Sequence, residues 1–214
     1  MSETKFENSV REAHPEEPAP LDYHNPTEAY AALSTVMARG VASAKHGFHL
    51  MTVCSLTLDG APDARTVVLR RFDSVNREFV FHTDWRSPKV AQLQRDARVL
   101  LSLYDPRHRW QLRVPAVATL HHEDAVSLAA WKRSQPYSRS CYAIPHPPGE
   151  PTPLDELWQP PLTIEEDNAA VYANFAVVVC QFQQLEVLEL RASGHRRARF
   201  DWSADGLAIT RLSP

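Results

Sequence analysis

Three short stretches of this chain carry side chains able to hold a phosphorylated heterocycle. In the first, Arg65-Thr66-Val67-Val68-Leu69-Arg70, two guanidinium groups bracket an apolar centre. Strand parity sends Arg65 and Arg70 to opposite faces, so they cannot clasp one phosphate, yet they stand about 16 Å apart, close to the length of an extended mononucleotide. Taken alone, the strand is more plainly a solvated sheet face with surface arginines. The second stretch, His82-Thr83-Asp84-Trp85-Arg86-Ser87-Pro88-Lys89, reads as a strand end leading into a helix. Ser87 fits the N-cap and Pro88 the first turn, which leaves free backbone N–H groups beside Arg86 and Lys89. Oriented amides, the positive end of the helix dipole and two cations make an anion site without glycine. Plain capping with solvent-facing cations uses the same residues. In the third stretch, Arg109-Trp110-Gln111-Leu112-Arg113, alternation puts Trp110 and Leu112 on one face and Arg109, Gln111 and Arg113 on the other. Gln111 offers both a donor and an acceptor to the edge of a heterocycle.

Composition narrows the options. The six glycines among 214 residues (Gly40, Gly47, Gly60, Gly149, Gly194 and Gly206) form neither a dinucleotide fingerprint nor a Walker loop. With 23 Lys and Arg against 26 Asp and Glu, the net charge of -3 argues against a sequence-independent nucleic-acid binder. No apolar run approaches the ~20 residues that span a bilayer. Cys54, Cys141 and Cys180 are scattered, with no CxxC pair and no secretory signal ahead of them, as expected of reduced thiols in a cytoplasmic protein. Cys54 and Cys180 fall in apolar strands and are expected to be buried, leaving Cys141 as the thiol to test for reactivity. His46 and His49, and the adjacent His121 and His122, lack a carboxylate or cysteine at ligand spacing, so no metal is expected.

The elements that must position these residues are legible from turn and capping signals. Residues 1–24, polar and carrying Pro15, Pro18 and Pro20, are expected to be a flexible arm. Residues 25–214 are expected to form a single domain. Asn25-Pro26 starts a helix with Ala29, Leu33, Met37 and Val41 on one face. From Phe48 the pattern turns to β runs at 49–57, 65–72, 79–83, 99–104 and 110–120, then a helix at 123–133. A proline-rich connection at 136–161 is too broken for a regular element. A short helix at 165–172 precedes one long β stretch, 175–190, and final strands at 198–202 and 207–212. Many closely spaced, mainly antiparallel strands with few helices predict a mostly β, α+β barrel with peripheral helices.

In order and spacing, these residues resemble the pyridoxamine 5'-phosphate oxidase family with its FMN-binding split β-barrel. That family shows R-x-V-L-L-K, Y-T-N-x-x-S-R-K, R-Q-V and a terminal W-x-x-x-R-L-A-P. Here stand Arg65 to Arg70, His82 to Lys89, Trp110-Gln111-Leu112, His195 to Phe200 and Arg211-Leu212-Ser213-Pro214. The resemblance implies a homodimer with FMN between subunits. Arg65, Thr66, Val67, Val68, Leu69, Arg70, His82, Thr83, Ser87 and Lys89 would serve from one subunit, and Gln111 and Arg199 from the other. Pro88 replaces the family's phosphate-binding arginine, for which Arg86 could substitute. Arg70 replaces a lysine, and Leu188 falls where the family has a tryptophan. For the substrate it implies Arg70, Trp131, Gln135, His195 and Arg197, the last two in reversed order, with Arg133 or Arg139 able to compensate for a missing phosphate ligand. The implied function is an FMN-dependent oxidoreductase that oxidises a small molecule, such as a pyridoxine or pyridoxamine phosphate, by hydride transfer. The alternative is an FMN-binding protein of the same fold without that activity. No catalytic acid or base is identified.

Overall fold

The computed structural model describes residues 18–156, 158–159 and 161–214. Helix α1 (Pro26–Ala42) starts where Asn25 accepts a bond from the Glu28 N–H at 3.2 Å, with proline at its first position. Its apolar face (Ala29, Leu33, Met37) is buried. At Gly40 an added Cβ would lie 2.8 Å from the Phe48 backbone, so only glycine lets the helix meet the following single-turn helix (Gly47–His49) this closely.

The strands are β1 (Leu50–Leu56), β2 (Pro62–Val68), β3 (Arg71–Asp73), β4 (Glu78–Asp84), β5 (Arg98–Asp105), β6 (Trp110–His122), β7 (Phe175–Phe182), β8 (Gln184–Glu189), β9 (Arg196–Ser203) and β10 (Gly206–Leu212). All of their pairings are antiparallel, as expected. The helices α2 (Pro88–Arg95), α3 (Ala125–Arg133), α4 (Pro136–Arg139) and α5 (Ala169–Tyr172) sit in the connections. The main path runs β10-β9-β8-β6-β5-β1-β2, and β7 links β6 to β4.

The branch lies in β6. Residues 110–113 pair with β8, whereas 116–122 pair with β7. Pro115, which has no N–H to give to a ladder, sits at the switch. Because β6 changes neighbours, the expected single stretch 175–190 is two strands broken at Gln183, whose carbonyl accepts the Trp202 N–H at 3.0 Å. The strand expected at 65–72 likewise ends at Val68, and β3 follows separately on β4. The proline-rich connection is more ordered than expected, for Pro136–Arg139 and Ser140–Tyr142 each form a turn of helix.

Two cores result. The larger joins α1 to the sheet through Phe48, Phe79, Phe81, Phe182 and Phe200. The smaller packs Trp131, Ile164, Val171 and Phe175 against Val80 and Val177 beneath α3. β4 serves both, since successive side chains leave opposite faces.

The expected arm is corrected at its last residues. Leu21 and Tyr23 are buried, and both donate to Glu189, the Leu21 N–H at 3.2 Å and the Tyr23 hydroxyl at 2.6 Å. Residues 1–17 lie outside the described residues. The Glu189 carboxylate is fully buried, with the Arg191 and Arg196 guanidinium groups at 3.8 and 3.6 Å. Replacing Glu189 with alanine should strip partners from all of these groups and cost about 3 kcal/mol. Equilibrium denaturation measures the loss, and hydrogen exchange should show protection vanishing at residues 21–24; unchanged protection there would refute the assigned role.

Candidate functional site

The expected anion-binding residues converge at the β4–α2 junction and the facing strand β2. Ser87 is the cap residue of α2, but its hydroxyl makes no capping bond. It accepts instead from Lys89 Nζ at 2.6 Å, and Thr83 Oγ1 accepts from the same ammonium at 2.9 Å. Burial lowers the Lys89 pKa, and repulsion from Arg65 lowers it further. The helix N-terminus adds its own positive end beside them.

Arg65 is fixed by neighbours from β1, β2 and α2. Its Nη1 donates to Ser55 Oγ at 2.6 Å and to the Val53 carbonyl at 3.3 Å, while Nη2 donates to Gln92 Oε1 at 2.7 Å and pairs with Asp63. Gln92, buried on α2, also donates to Asp63 at 2.8 Å, so one amide ties helix to strand. No local pattern marks Gln92, because its role depends on β1 and β2 passing beneath the helix.

Arg86 does not join this cluster. Its guanidinium grips Asp84 through Nε and Nη2 at 3.0 and 2.7 Å and donates to the carbonyls of Ile144 and Pro145 at 2.9 and 3.1 Å. The expectation that it replaces the arginine lost at Pro88 is therefore corrected: Arg86 anchors the proline-rich connection.

Arg70, beyond the end of β2, faces elsewhere. It lines a cavity of about 540 Å³ with His82, Arg133, Ser134, Ser138 and Tyr142, between the smaller core and β4. Gln135 also reaches this cavity, but Trp131 does not. Trp131 is fully buried and its indole N–H donates to the Glu166 carbonyl at 2.8 Å, so the expected substrate contact is corrected to a core role. Arg139, 4% exposed, donates to the carbonyls of Trp131, Lys132 and Ile164, and holds the chain together behind the cavity rather than compensating within it. Arg133 and Arg71 are the further cations lining the cavity, and Arg71 is already paired with Asp73 and Glu78.

Thr66 is exposed, Val67 and Val68 are half-buried and Leu69 is buried. Gln111 lines a separate recess with Arg113, Glu186, Leu188 and Arg197, where register places Gln111, Leu188 and Arg197 in one row. Trp110 and Leu112 are buried, as alternation predicted. Three strand spacings, about 14 Å, separate β2 from β6. Arg197 is held by Glu186 at 2.7 Å, and Arg199 by Asp201 at 2.8 Å. His195 is exposed, its Nδ1 accepting the Arg191 N–H at 3.1 Å. The three thiols are free, with Cys141 exposed. Cys180 is buried and its pKa is pushed up to about 12, whereas Cys54 is half-buried rather than enclosed.

Comparison with known proteins shows which domains and folds the chain is similar to. Residues 24–122 match the family model described as the FMN-binding domain of pyridoxamine 5'-phosphate oxidase. A pyridoxine/pyridoxamine 5'-phosphate oxidase of Xanthomonas campestris is 34% identical over 113 residues, 53% of each chain. One from Dichelobacter nodosus is 33% identical over 97 residues, 44% of this chain and 43% of its own. The chain thus aligns with about half the length of these relatives. An FMN-binding protein from Nostoc punctiforme superimposes with a TM-score of 0.70 at 22% identity, covering 86% of this chain and 96% of that one. PhzG from Burkholderia lata, solved with tetrahydrophenazine-1-carboxylic acid, gives 0.65 at 19% identity over 90% and 96%.

The fold is that of the FMN-binding split barrels. Within it, residues 24–122 are similar to the FMN-binding domain of pyridoxamine 5'-phosphate oxidase, and the cofactor is FMN. The donor chemistry fits that cofactor. Among the described residues Lys89 has hydroxyl partners but no carboxylate bond, and it lies beside a second cation at a helix N-terminus.

His82 supplies a titration test of the cavity. Burial, reinforced by Arg70 and Arg133, lowers its pKa from 6.5 to about 4. Between those values the unfolded chain binds more protons, so this group makes the fold lose stability as pH falls from 6.5 toward 4. His82→Asn should therefore flatten that part of the melting-temperature profile; an unchanged acid slope would contradict a neutral imidazole at this half-buried position.

Proposed function

We propose that this chain is an FMN-dependent oxidoreductase acting on a small anionic substrate of the pyridoxine phosphate class. The observation that carries the reading is the cavity holding Arg70, Arg133, His82 and Ser138, a set that matches a phosphate monoester. The cofactor phosphate is assigned to Arg65, Thr83, Ser87, Lys89 and the first turn of α2. FMN held there would supply a hydride acceptor for a substrate carbon, with oxygen as the reoxidant. The protein's own work is placement: Arg70 and Arg133 draw the substrate anion in, and neutral His82 can hydrogen-bond it without adding charge. Arg70 presents a planar fork where the related proteins offer a point charge, and so favours two oxygens of one group.

The assembly is proposed to be a homodimer in the cytoplasm. Gln111 and Arg199 lie on a face of their own, consistent with each reaching the cofactor bound by the other subunit. No described helix is long and apolar enough to cross a membrane. A second reading, flavin binding without pyridoxine phosphate oxidation, draws support from Arg197, whose guanidinium is tied to Glu186 at 2.7 Å.

Anaerobic addition of pyridoxine 5'-phosphate or pyridoxamine 5'-phosphate to the FMN-loaded protein should bleach the flavin absorbance, and readmitted oxygen should restore it with release of hydrogen peroxide. Arg133→Ala should raise KM by about tenfold with a smaller change in kcat. Persistent colour with both substrates would reject the oxidase reading in favour of the second one.

A further inference from the structure

Away from the flavin site, a third cluster of chemically capable side chains joins two distant segments. His46 precedes the single-turn helix after α1, while Asp105 ends β5 and His108 lies in the turn between β5 and β6. One ligand atom from each of these three residues lies within 4.8 Å of the other two. We propose that His46, Asp105 and His108 bind one divalent transition-metal ion, of the zinc or cobalt type.

The donor set defines the class of ion. Two imidazoles and one carboxylate suit zinc, cobalt, nickel or copper, whereas magnesium and calcium call for oxygen ligands throughout. Sequence spacing hid the set because the carboxylate that accompanies His46 lies 59 positions further along the chain (105 − 46).

The fold already brings these residues together. At Gly47 an added Cβ would lie 2.6 Å from both Asp105 Cα and Asp105 Oδ1, so glycine is what lets the His46 segment touch the strand end. The Asp105 carboxylate is 2% exposed. It accepts from the His108 backbone N–H at 3.2 Å and shares a short contact with His108 Nδ1. A buried carboxylate facing two imidazoles is a costly arrangement unless protons or a metal ion compensate it.

The required rearrangement is small. Metal–ligand bonds of ~2.1 Å put ligand atoms about 3–4 Å apart, so the widest separation must close by about 1 Å. Ligation displaces any proton shared by Asp105 and His108, and replaces the 3.1 Å bond that His46 Nδ1 accepts from the Phe48 N–H. Water would complete the coordination shell.

None of the three lines the cavity that holds Arg70 and His82, so the ion is assigned a structural role. His108 packs against Trp110 with ring centroids 4.8 Å apart, and Gln111 follows directly. A bound ion would therefore stiffen the turn that starts β6. The inference stands whether or not the flavin reading holds.

The test uses untagged full-length protein, stripped with chelator, incubated with zinc or cobalt chloride and desalted. Elemental analysis should find about one zinc per chain, and cobalt should give visible absorption bands of a site with nitrogen ligands. His46→Ala and His108→Ala, both checked for folding by circular dichroism, should each weaken uptake by at least about tenfold. Wild-type protein that emerges metal-free would overturn the proposal and leave Asp105 a plain partner of two histidines. So would equal uptake by wild type and both folded variants, because the metal would then sit elsewhere.

Discussion

The change of partner along β6 is the constraint on which the architecture depends. A strand has two edges, and on one of them β6 meets β8 over residues 110–113 and β7 over 116–122, with Pro115 between. The sheet must divide there, and each branch needs its own apolar filling. Hence the molecule has a large core behind α1 and a smaller one around Trp131. The cavity with Arg70 and His82 opens between β4 and that smaller core, because α3 and the connection behind it cover the sheet incompletely at this point. A fully closed barrel would have filled the space with side chains.

The same sheet holds cations where they repel each other. Arg65 is fixed by Ser55, Asp63 and Gln92, and Lys89 by Thr83 and Ser87, so neither can swing fully into solvent without breaking hydrogen bonds. Preorganised charges of this kind cost stability in the empty protein and return it when an anion arrives. Asp63 offsets part of the repulsion for Arg65, while Lys89 is left with neutral partners. A scarcity of glycine is thus compatible with phosphate recognition, since a proline-started helix and two fixed cations can do the work of a glycine-rich loop.

How much could be seen in advance followed the range of the interactions. The Ser87-Pro88 boundary, the Asn25 cap and the alternation through Trp110 to Arg113 are written in residues a few positions apart, and the structure bears them out. Arg86 was misjudged because its carbonyl partners lie 58 and 59 residues away. The substrate role for Trp131 rests on the resemblance alone, and alignment does not reveal that this indole turns into a second core. Leu21 and Tyr23 were assigned to a mobile arm because Glu189, which anchors them, lies more than 160 residues later. Gln92 carries no local signal either, since its partners Arg65 and Asp63 lie 27 and 29 residues away.

The central claim is that the β2 arginine and the β4–α2 junction hold the cofactor's phosphate. It is tested most directly by comparing FMN with riboflavin, which lacks only that phosphate, by flavin-fluorescence titration of wild-type protein and of Lys89→Met. The account predicts that wild type prefers FMN by about two orders of magnitude or more, and that the variant loses most of this preference with little change in riboflavin affinity. Equal affinities of wild type for the two flavins, or a preference untouched in the variant, would contradict it.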